Sequence, residues 1–135
     1  MEPGEHTRIT LRRDPTQAGE ARRHVARACQ GLARDVVEIA QLLTTELVTN
    51  AISHGAGEIT LDITRAPQDL RVDVIDAAPE RPRAEVAGPE QTRGRGILIV
   101  ESLASAWGVE PPSGSRRKSV WFKLRTAGGH KTRSR

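Results

Sequence analysis

The sequence predicts an α+β protein, a two-layer sandwich in which helices cover one face of a mostly antiparallel sheet. Helical patterns come early in the chain and strand-like alternating patterns follow in pairs, without the regular strand–helix–strand repetition of a parallel sheet. The predicted order is β-α-α-β-β-loop-α-β-β. With 135 residues, the chain is long enough for one hydrophobic core but not for two.

The first strand and the first helix follow a loose start over residues 1–6. Residues 7–13 alternate between polar and apolar side chains, as a half-buried strand does. Asp14-Pro15-Thr16 is then a typical helix start, with proline near the first turn. Gly31 ends this helix or lies close to its end.

The second helix is predicted from about Asp35, its expected N-cap, to Ser53. His54-Gly55 is the expected stop, because glycine commonly ends a helix. Apolar side chains recur along this segment at helical spacing, namely Ile39, Leu43, Leu47 and Ala51.

Two alternating segments predict a hairpin, with Pro67-Gln68-Asp69 in its turn. Aliphatic residues occupy the inward positions, Ile59, Leu61 and Ile63 in one strand and Leu70, Val72 and Val74 in the other. Asp76 continues the second series, so its carboxylate is expected on the buried side. An acid on that side needs a partner, because burying an unpaired charge is costly. The alternative is that the strand ends before Asp76 and the carboxylate is solvated.

The last third of the chain begins with a long loop. Residues 77–93 are rich in Pro, Glu, Arg and Ala and show no apolar periodicity. Gly94-Arg95-Gly96 follows, a segment that can present backbone N–H groups to a phosphate or serve only as a turn. A short helix is predicted over residues 97–103. Strands are then predicted at Trp107 and from Ser119 to Leu124.

Composition excludes several classes of protein. The single cysteine, Cys29, leaves no internal disulfide and no cysteine-cluster metal site. No apolar run approaches the ~18 residues of a membrane span and no signal segment opens the chain, so we expect a cytoplasmic protein without membrane contact. Much of the net charge of +4 comes from a basic flexible tail over residues 126–135. Tyrosine is absent and Phe122 is the only phenylalanine, which does not favour nucleic acid as a partner.

Three polar residues of the second helix, Glu46, Asn50 and His54, lie four positions apart and form a stripe beside the apolar one. A carboxylate next to a carboxamide can provide a base that orients a hydroxyl or water. It can also provide an oxygen ligand for a hard cation such as Mg²⁺. An ordinary hydrophilic helix edge explains the same pattern, so its meaning depends on the rest of the chain.

The order of these motifs resembles the Bergerat-fold ATPases, which include gyrase-type, histidine-kinase-type and mismatch-repair ATPases. Within that group the chain is most similar to the small anti-sigma-factor serine kinases and their actinobacterial relatives. The resemblance covers roughly residues 7–125, which form the predicted histidine kinase-like ATPase domain. Its motifs are Glu46-Leu-Val-Thr-Asn50-Ala, Gly94-Arg-Gly-Ile-Leu-Ile-Val-Glu-Ser-Leu-Ala-Ser-Ala-Trp107-Gly108-Val and Lys118-Ser-Val-Trp121-Phe122.

This resemblance implies ATP and Mg²⁺ as cofactors and gives roles to individual residues. Asn50 would be the Mg²⁺ ligand, and Glu46 the catalytic base that positions the attacking hydroxyl or water. Asp76 would accept a hydrogen bond from the adenine amino group, and Ser119 would lie near the adenine. Gly94, Arg95 and Gly96 would form a glycine box whose backbone amides approach the phosphates, with the arginine either reaching a phosphate or staying solvated.

The chain departs from the family pattern after Asp76. The family's adenine box is usually Asp-x-Gly-x-Gly, whereas this chain has Asp76-Ala77-Ala78-Pro79-Glu80. A side chain at position 78 and the fixed φ of Pro79 leave less freedom for close approach to a nucleotide. The role of His54 also stays open between a structural cap and a ligand contact.

Two functions follow as hypotheses. The first is an ATP-dependent serine/threonine kinase that phosphorylates a small antagonist protein and controls a sigma factor by partner switching. The alternative is a catalytically weak or inactive ATPase-fold module that acts only by binding partners. The first strand offers a sheet edge through which two copies could pair, so a homodimer is compatible with either function.

Overall fold

A computed structural model of the chain describes residues 5–77, 99–110 and 117–126. Within these ranges the chain forms five strands and two long helices. In chain order they are β1 (Glu5–Leu11), α1 (Gln17–Ala28), α2 (Arg34–His54), β2 (Ile59–Arg65), β3 (Asp69–Asp76), β4 (Ala106–Glu110) and β5 (Lys118–Arg125). Residues 99–103 are helical as well.

The five strands form one sheet in the order β1-β2-β3-β5-β4. Every neighbouring pair is antiparallel, and each pairing runs without interruption along the strands. Both α1 and α2 pack on one face of this sheet, which we call the helix face. The predicted α+β two-layer sandwich and the order of its elements are therefore confirmed.

The hydrophobic core lies between the helix face of the sheet and the two long helices. Its strand members include all six of the aliphatic residues predicted to point inward, namely Ile59, Leu61, Ile63, Leu70, Val72 and Val74. Its helix members include Ala21, Val25, Ala40, Leu43, Leu47, Val48 and Ala51. The strict alternation of burial along β2 and β3 confirms which of their side chains point inward. A one-residue slip in pairing would turn every one of these aliphatic side chains outward.

β1 starts at Glu5. Residues 5 and 6, which were predicted to belong to the loose start, are therefore part of the sheet. A polar cluster holds this end of β1 in place. His6 Nε2 is hydrogen-bonded to Asp62, and Arg8 donates to the second oxygen of that carboxylate at 2.8 Å. Burial raises the pKa of Asp62, but the hydrogen bonds from Arg8 and His6 outweigh it and hold this pKa below its usual range.

The predicted start of α1 is confirmed. Asp14 Oδ1 accepts hydrogen bonds from the backbone N–H and the hydroxyl of Thr16, both at 3.0 Å, and the helix begins at Gln17. It ends at Ala28, and Gly31 then turns the chain toward α2. Gly31 has φ of 88°, a left-handed conformation that glycine adopts without strain.

The prediction of Asp35 as the N-cap of α2 is wrong. Ala33 is the N-cap, because its backbone is extended and its carbonyl accepts hydrogen bonds from Val36 and Val37 at 3.0 and 3.1 Å. The N-cap is therefore two residues earlier than predicted, and the helix begins at Arg34. Asp35 lies in the first turn, where a negative charge still interacts favourably with the helix dipole.

The face of the sheet opposite the helices, the outer face, carries a polar network around Arg71. Its guanidinium donates to both carboxylate oxygens of Asp73 at 2.8 and 2.9 Å and lies over the ring of Trp121, 4.3 Å from the centroid. These hydrogen bonds to Asp73 raise the pKa of Arg71. The indole lies close against β4 because residue 108 is glycine, and a Cβ there would come within 2.9 Å of the ring. The outer face is thus a distinct polar surface.

Several predictions concern residues outside the described ranges. The segments concerned are the first four residues of the chain, most of the predicted loop, the glycine box and nearly all of the basic tail. Their numbers are 1–4, 78–98 and 127–135. Of the predicted short helix, residues 99–103 are described and are helical, with Val100 buried in the core. In the part of the chain that is described, neither long helix is apolar enough to cross a membrane.

A pair of adjacent leucines tests the orientation of α2. Leu43 is fully buried, whereas Leu42 is 41% exposed. Leu43→Ala should lower the free energy of unfolding by about 3 kcal/mol, because it removes buried methyl groups and leaves a cavity. Leu42→Ala, the matched control, should change it by less than about 0.5 kcal/mol. Urea unfolding followed by circular dichroism measures both, and equal losses would contradict the described orientation.

Candidate active site

Glu46 and Asn50 lie on the flank of α2 that faces away from α1. The opposite flank is occupied by α1, since Thr45 Oγ1 accepts a hydrogen bond from Arg22 at 3.4 Å and Gln41 donates to the Arg22 carbonyl at 3.1 Å. Successive helical residues are rotated by ~100°, which places Asn50 about 140° around the axis from Thr45. Glu46 and Asn50 are both half-buried. They therefore border the core while remaining accessible from the side that α1 leaves uncovered.

The predicted stop of α2 is confirmed and has a structural purpose. The helix ends at His54, which is exposed, and Gly55 is the C-cap, with its N–H bonded to the Ala51 carbonyl at 2.9 Å. A Cβ at position 55 would lie 1.8 Å from Oδ2 of Asp76 and 2.8 Å from the Ala51 carbonyl oxygen. Only glycine leaves room for the carboxylate, so the end of α2 and the end of β3 are in direct contact.

Asp76 is the last residue of β3 and is 2% exposed. It continues the inward series of that strand, which confirms the prediction of a buried acid and excludes the solvated alternative. The next residue is tied to the α2–β2 connection, because the Ala77 N–H donates to the Ala56 carbonyl at 2.9 Å. Gly57 in the same connection has φ of 70°. The connection thus bends around the carboxylate, which lies at the same end of α2 as Asn50.

Arg13 closes the other side of this helix end. Its guanidinium donates to the carbonyls of Ala51 and Ile52, at 2.8 Å and 2.5 Å. A cation at a helix C-terminus adds hydrogen bonds to the last carbonyls of the helix and interacts favourably with the helix dipole. The sequence pattern predicts Arg13 at the end of the first strand and does not indicate this role, because its partner carbonyls lie almost forty positions further along the chain.

A comparison with protein-family models matches residues 11–123 to the histidine kinase-like ATPase domain. The chain belongs to this family. The matched region begins at the last residue of β1 and ends within β5, and so includes Glu46, Asn50 and Asp76. A comparison with curated proteins returned no match.

Of the site residues predicted for this ATPase domain, Ser119 lies apart from the others. Its hydroxyl donates to Asp73 Oδ2 at 2.7 Å, which places the side chain on the outer face of the sheet. Asp76 belongs to the helix face, so the structure does not bring these two side chains together. Ser119 belongs to the polar network of Arg71 and Asp73, and its contact with the adenine stays a prediction.

Lys118, and not Ser119, lies opposite Asp76 in the sheet. The register of β3 and β5 pairs Lys118 with Asp76, and directly opposed residues of antiparallel strands project to the same face. The alternation of Val120, Phe122 and Leu124 would have identified this position if it had been extended two residues back. Because the predicted strand begins at Ser119, Lys118 lies just outside it.

The described residues of the ATPase domain fit a nucleotide bound with Mg²⁺. A buried carboxylate, Asp76, could accept a hydrogen bond from the amino group of a base, and it lies in a space that a Cβ at Gly55 would fill. Asn50 offers an amide oxygen, and Mg²⁺ is commonly held by one or two protein oxygens together with phosphates. Gly94, Arg95 and Gly96 lie outside the described residues, so their predicted phosphate contacts stay predictions.

The contact between the end of α2 and Asp76 can be tested by adding one methyl group. Gly55→Ala should lower the free energy of unfolding by about 1–3 kcal/mol, because its Cβ collides with a buried carboxylate and with backbone. Gly19→Ala in α1 is the control, since its Cβ would meet only the end of a flexible arginine at 3.5 Å. Replacing this helical glycine by alanine should instead raise the free energy of unfolding by about 0.5–1 kcal/mol. A neutral Gly55→Ala variant in thermal and urea unfolding would contradict the described contact.

Proposed function

We propose that this ATPase domain binds ATP with Mg²⁺ and transfers the γ-phosphoryl group to a serine or threonine of a small antagonist protein. The observation that carries the proposal is the arrangement at α2. Glu46 and Asn50 occupy the flank that α1 does not cover, and the buried carboxylate of Asp76 lies against the end of the helix. Base recognition and phosphate chemistry would then be arranged along one helix.

Each of the three residues has one task in this proposal. Asp76 accepts a hydrogen bond from the amino group of the base and so orients the nucleotide. Asn50 supplies its amide oxygen to the cation, which neutralises phosphate charge when it is bound. Glu46 accepts the proton of the attacking hydroxyl as that oxygen forms its bond to phosphorus. The bond between the γ-phosphorus and the bridging oxygen breaks, and ADP leaves.

Control of a sigma factor by partner switching is the regulatory part of the proposal. Its support is the similarity of residues 46–51 and 94–109 to the anti-sigma-factor serine kinases. The protein would bind a sigma factor through the same surface that binds the antagonist and release the sigma factor when the antagonist engages. β1 is an edge strand of the described sheet, so pairing of two copies through β1 is the form of homodimer that we include.

A second candidate function is a partner-binding module that has lost turnover. The observation that favours it is the segment after Asp76, which has Ala78 and Glu80, with Pro79 between them, where the family usually has two glycines. The Cβ of Ala77 already lies 3.1 Å from where a Cβ at Gly57 would be, so there is little spare room on this side. In that case the protein would act only by binding partner proteins at its surface.

The nucleotide site is tested by titration calorimetry with ATP and ADP, with and without Mg²⁺. Asp76→Asn should weaken binding of both nucleotides at least tenfold, because it removes a charged hydrogen-bond acceptor from the base. Asn50→Ala should abolish the Mg²⁺-dependent part of binding. Thr49→Ala, an exposed neighbour on the same helix, is the control and should bind like the wild type. Unchanged affinity in Asp76→Asn or Asn50→Ala would contradict the role given to that residue.

The kinase assignment is tested separately from binding. Glu46→Gln should bind ATP with wild-type affinity but transfer labelled phosphate to water or to a candidate antagonist at least a hundredfold more slowly, because general-base catalysis contributes roughly 10²–10⁴-fold. Glu38→Gln, on the exposed side of α2, is the matched control and should remain active. Nucleotide binding without any transfer by the wild type would favour the partner-binding module.

A further inference from the structure

Lys118 projects toward the helix face of the sheet, as the contacts of its two neighbours show. Arg117 donates to Thr60 Oγ1 at 3.0 Å, and Ser119 donates to Asp73 Oδ2 at 2.7 Å, both on the outer face. Side chains alternate along a strand, so the residue between them belongs to the other side. Lys118 is half-buried there, in line with the core residue Phe122.

Asp76 is the residue directly opposite Lys118 on β3. Opposed residues of an antiparallel pair have Cβ atoms about 4.5–5.5 Å apart, which brings an ammonium group within reach of whatever the carboxylate binds. The end of β3 therefore offers two different polar groups to a ligand. Asp76 can only accept hydrogen bonds when it is ionised, and Lys118 can only donate them.

The two purine bases differ in the hydrogen-bonding groups that they offer such a pair. Adenine carries an amino donor at the position where guanine carries the O6 acceptor, and guanine has its own amino donor at N2. A carboxylate alone accepts from the adenine amino group but faces the guanine O6 with like charge. A carboxylate beside an ammonium can satisfy guanine, because lysine donates well to O6 and the acid accepts from the N2 amino group.

We propose that Lys118 determines base specificity and allows the site to accept guanine nucleotides as well as adenine nucleotides. The inference rests on the proposed function, since it assigns Lys118 to the same nucleotide site. Lys118 binds the ligand and has no part in phosphoryl transfer.

Calorimetric titration with ADP and with GDP, both in Mg²⁺, tests the assignment in three proteins. They are the wild type, Lys118→Thr and the matched control Lys123→Thr, which removes a lysine from the same strand at a position paired with Arg71 on the outer face. The wild type should bind GDP within about tenfold of ADP. Lys118→Thr should lose at least about tenfold in GDP affinity, the effect of removing a charged donor, while ADP affinity changes much less. Lys123→Thr should leave both affinities unchanged.

The possible outcomes separate the inference from the function on which it rests. If neither nucleotide binds the wild type, the proposed function fails and the inference with it. If ADP binds but GDP binds a hundredfold more weakly, the nucleotide site stands and the role of Lys118 is overturned. Equal losses for ADP and GDP in Lys118→Thr would also overturn it, because they would indicate attraction to the phosphates. Urea unfolding of the variants establishes that each one is folded.

Discussion

The contact between Gly55 and the carboxylate of Asp76 joins the two layers of the protein at the point where the site is built. The carboxylate is buried, and a buried acid is stabilised only when polar groups surround it. The end of α2 leaves space for the carboxylate, because the helix stops at a residue without a side chain, and the connection that follows is hydrogen-bonded to the residue after Asp76. The position of α2 along the sheet, and with it the positions of Glu46 and Asn50, follows from this contact.

The uninterrupted antiparallel register is the second constraint on the molecule, because it assigns every strand residue to one of two chemically different faces. On the helix face most side chains are apolar, and Asp76 and Lys118 stand opposite each other at the end of β3. On the outer face the charged groups are paired among themselves, as in the networks of Asp62 and of Arg71. The chemistry that is available to a nucleotide is therefore concentrated at one end of the helix face.

Membership of the histidine kinase-like ATPase domain family agrees with this arrangement, because the family implies a nucleotide site. The residues that the resemblance places along the helix are present and half-buried, whereas the segment after Asp76 differs from the family pattern. This difference falls on the proposed base end of the site, while the residues proposed for the metal and the attacking hydroxyl are kept. We therefore expect variation in what is bound rather than in the type of chemistry.

Sequence patterns alone were enough to establish the fold class, the order of the elements, the inward residues of β2 and β3 and the stop of α2. They sufficed because hydrophobic periodicity and glycine stops act over a few neighbouring residues. The burial of Asp76 also followed from parity within its own strand. The N-cap of α2 was missed for a local reason, because Ala33 has no side chain that could cap the helix. Tertiary structure was needed for the partner carbonyls of Arg13 and for the pairing of Lys118 with Asp76. Both depend on contacts between segments far apart in the chain, and the identity of a distant partner leaves no periodic signal in the segments themselves.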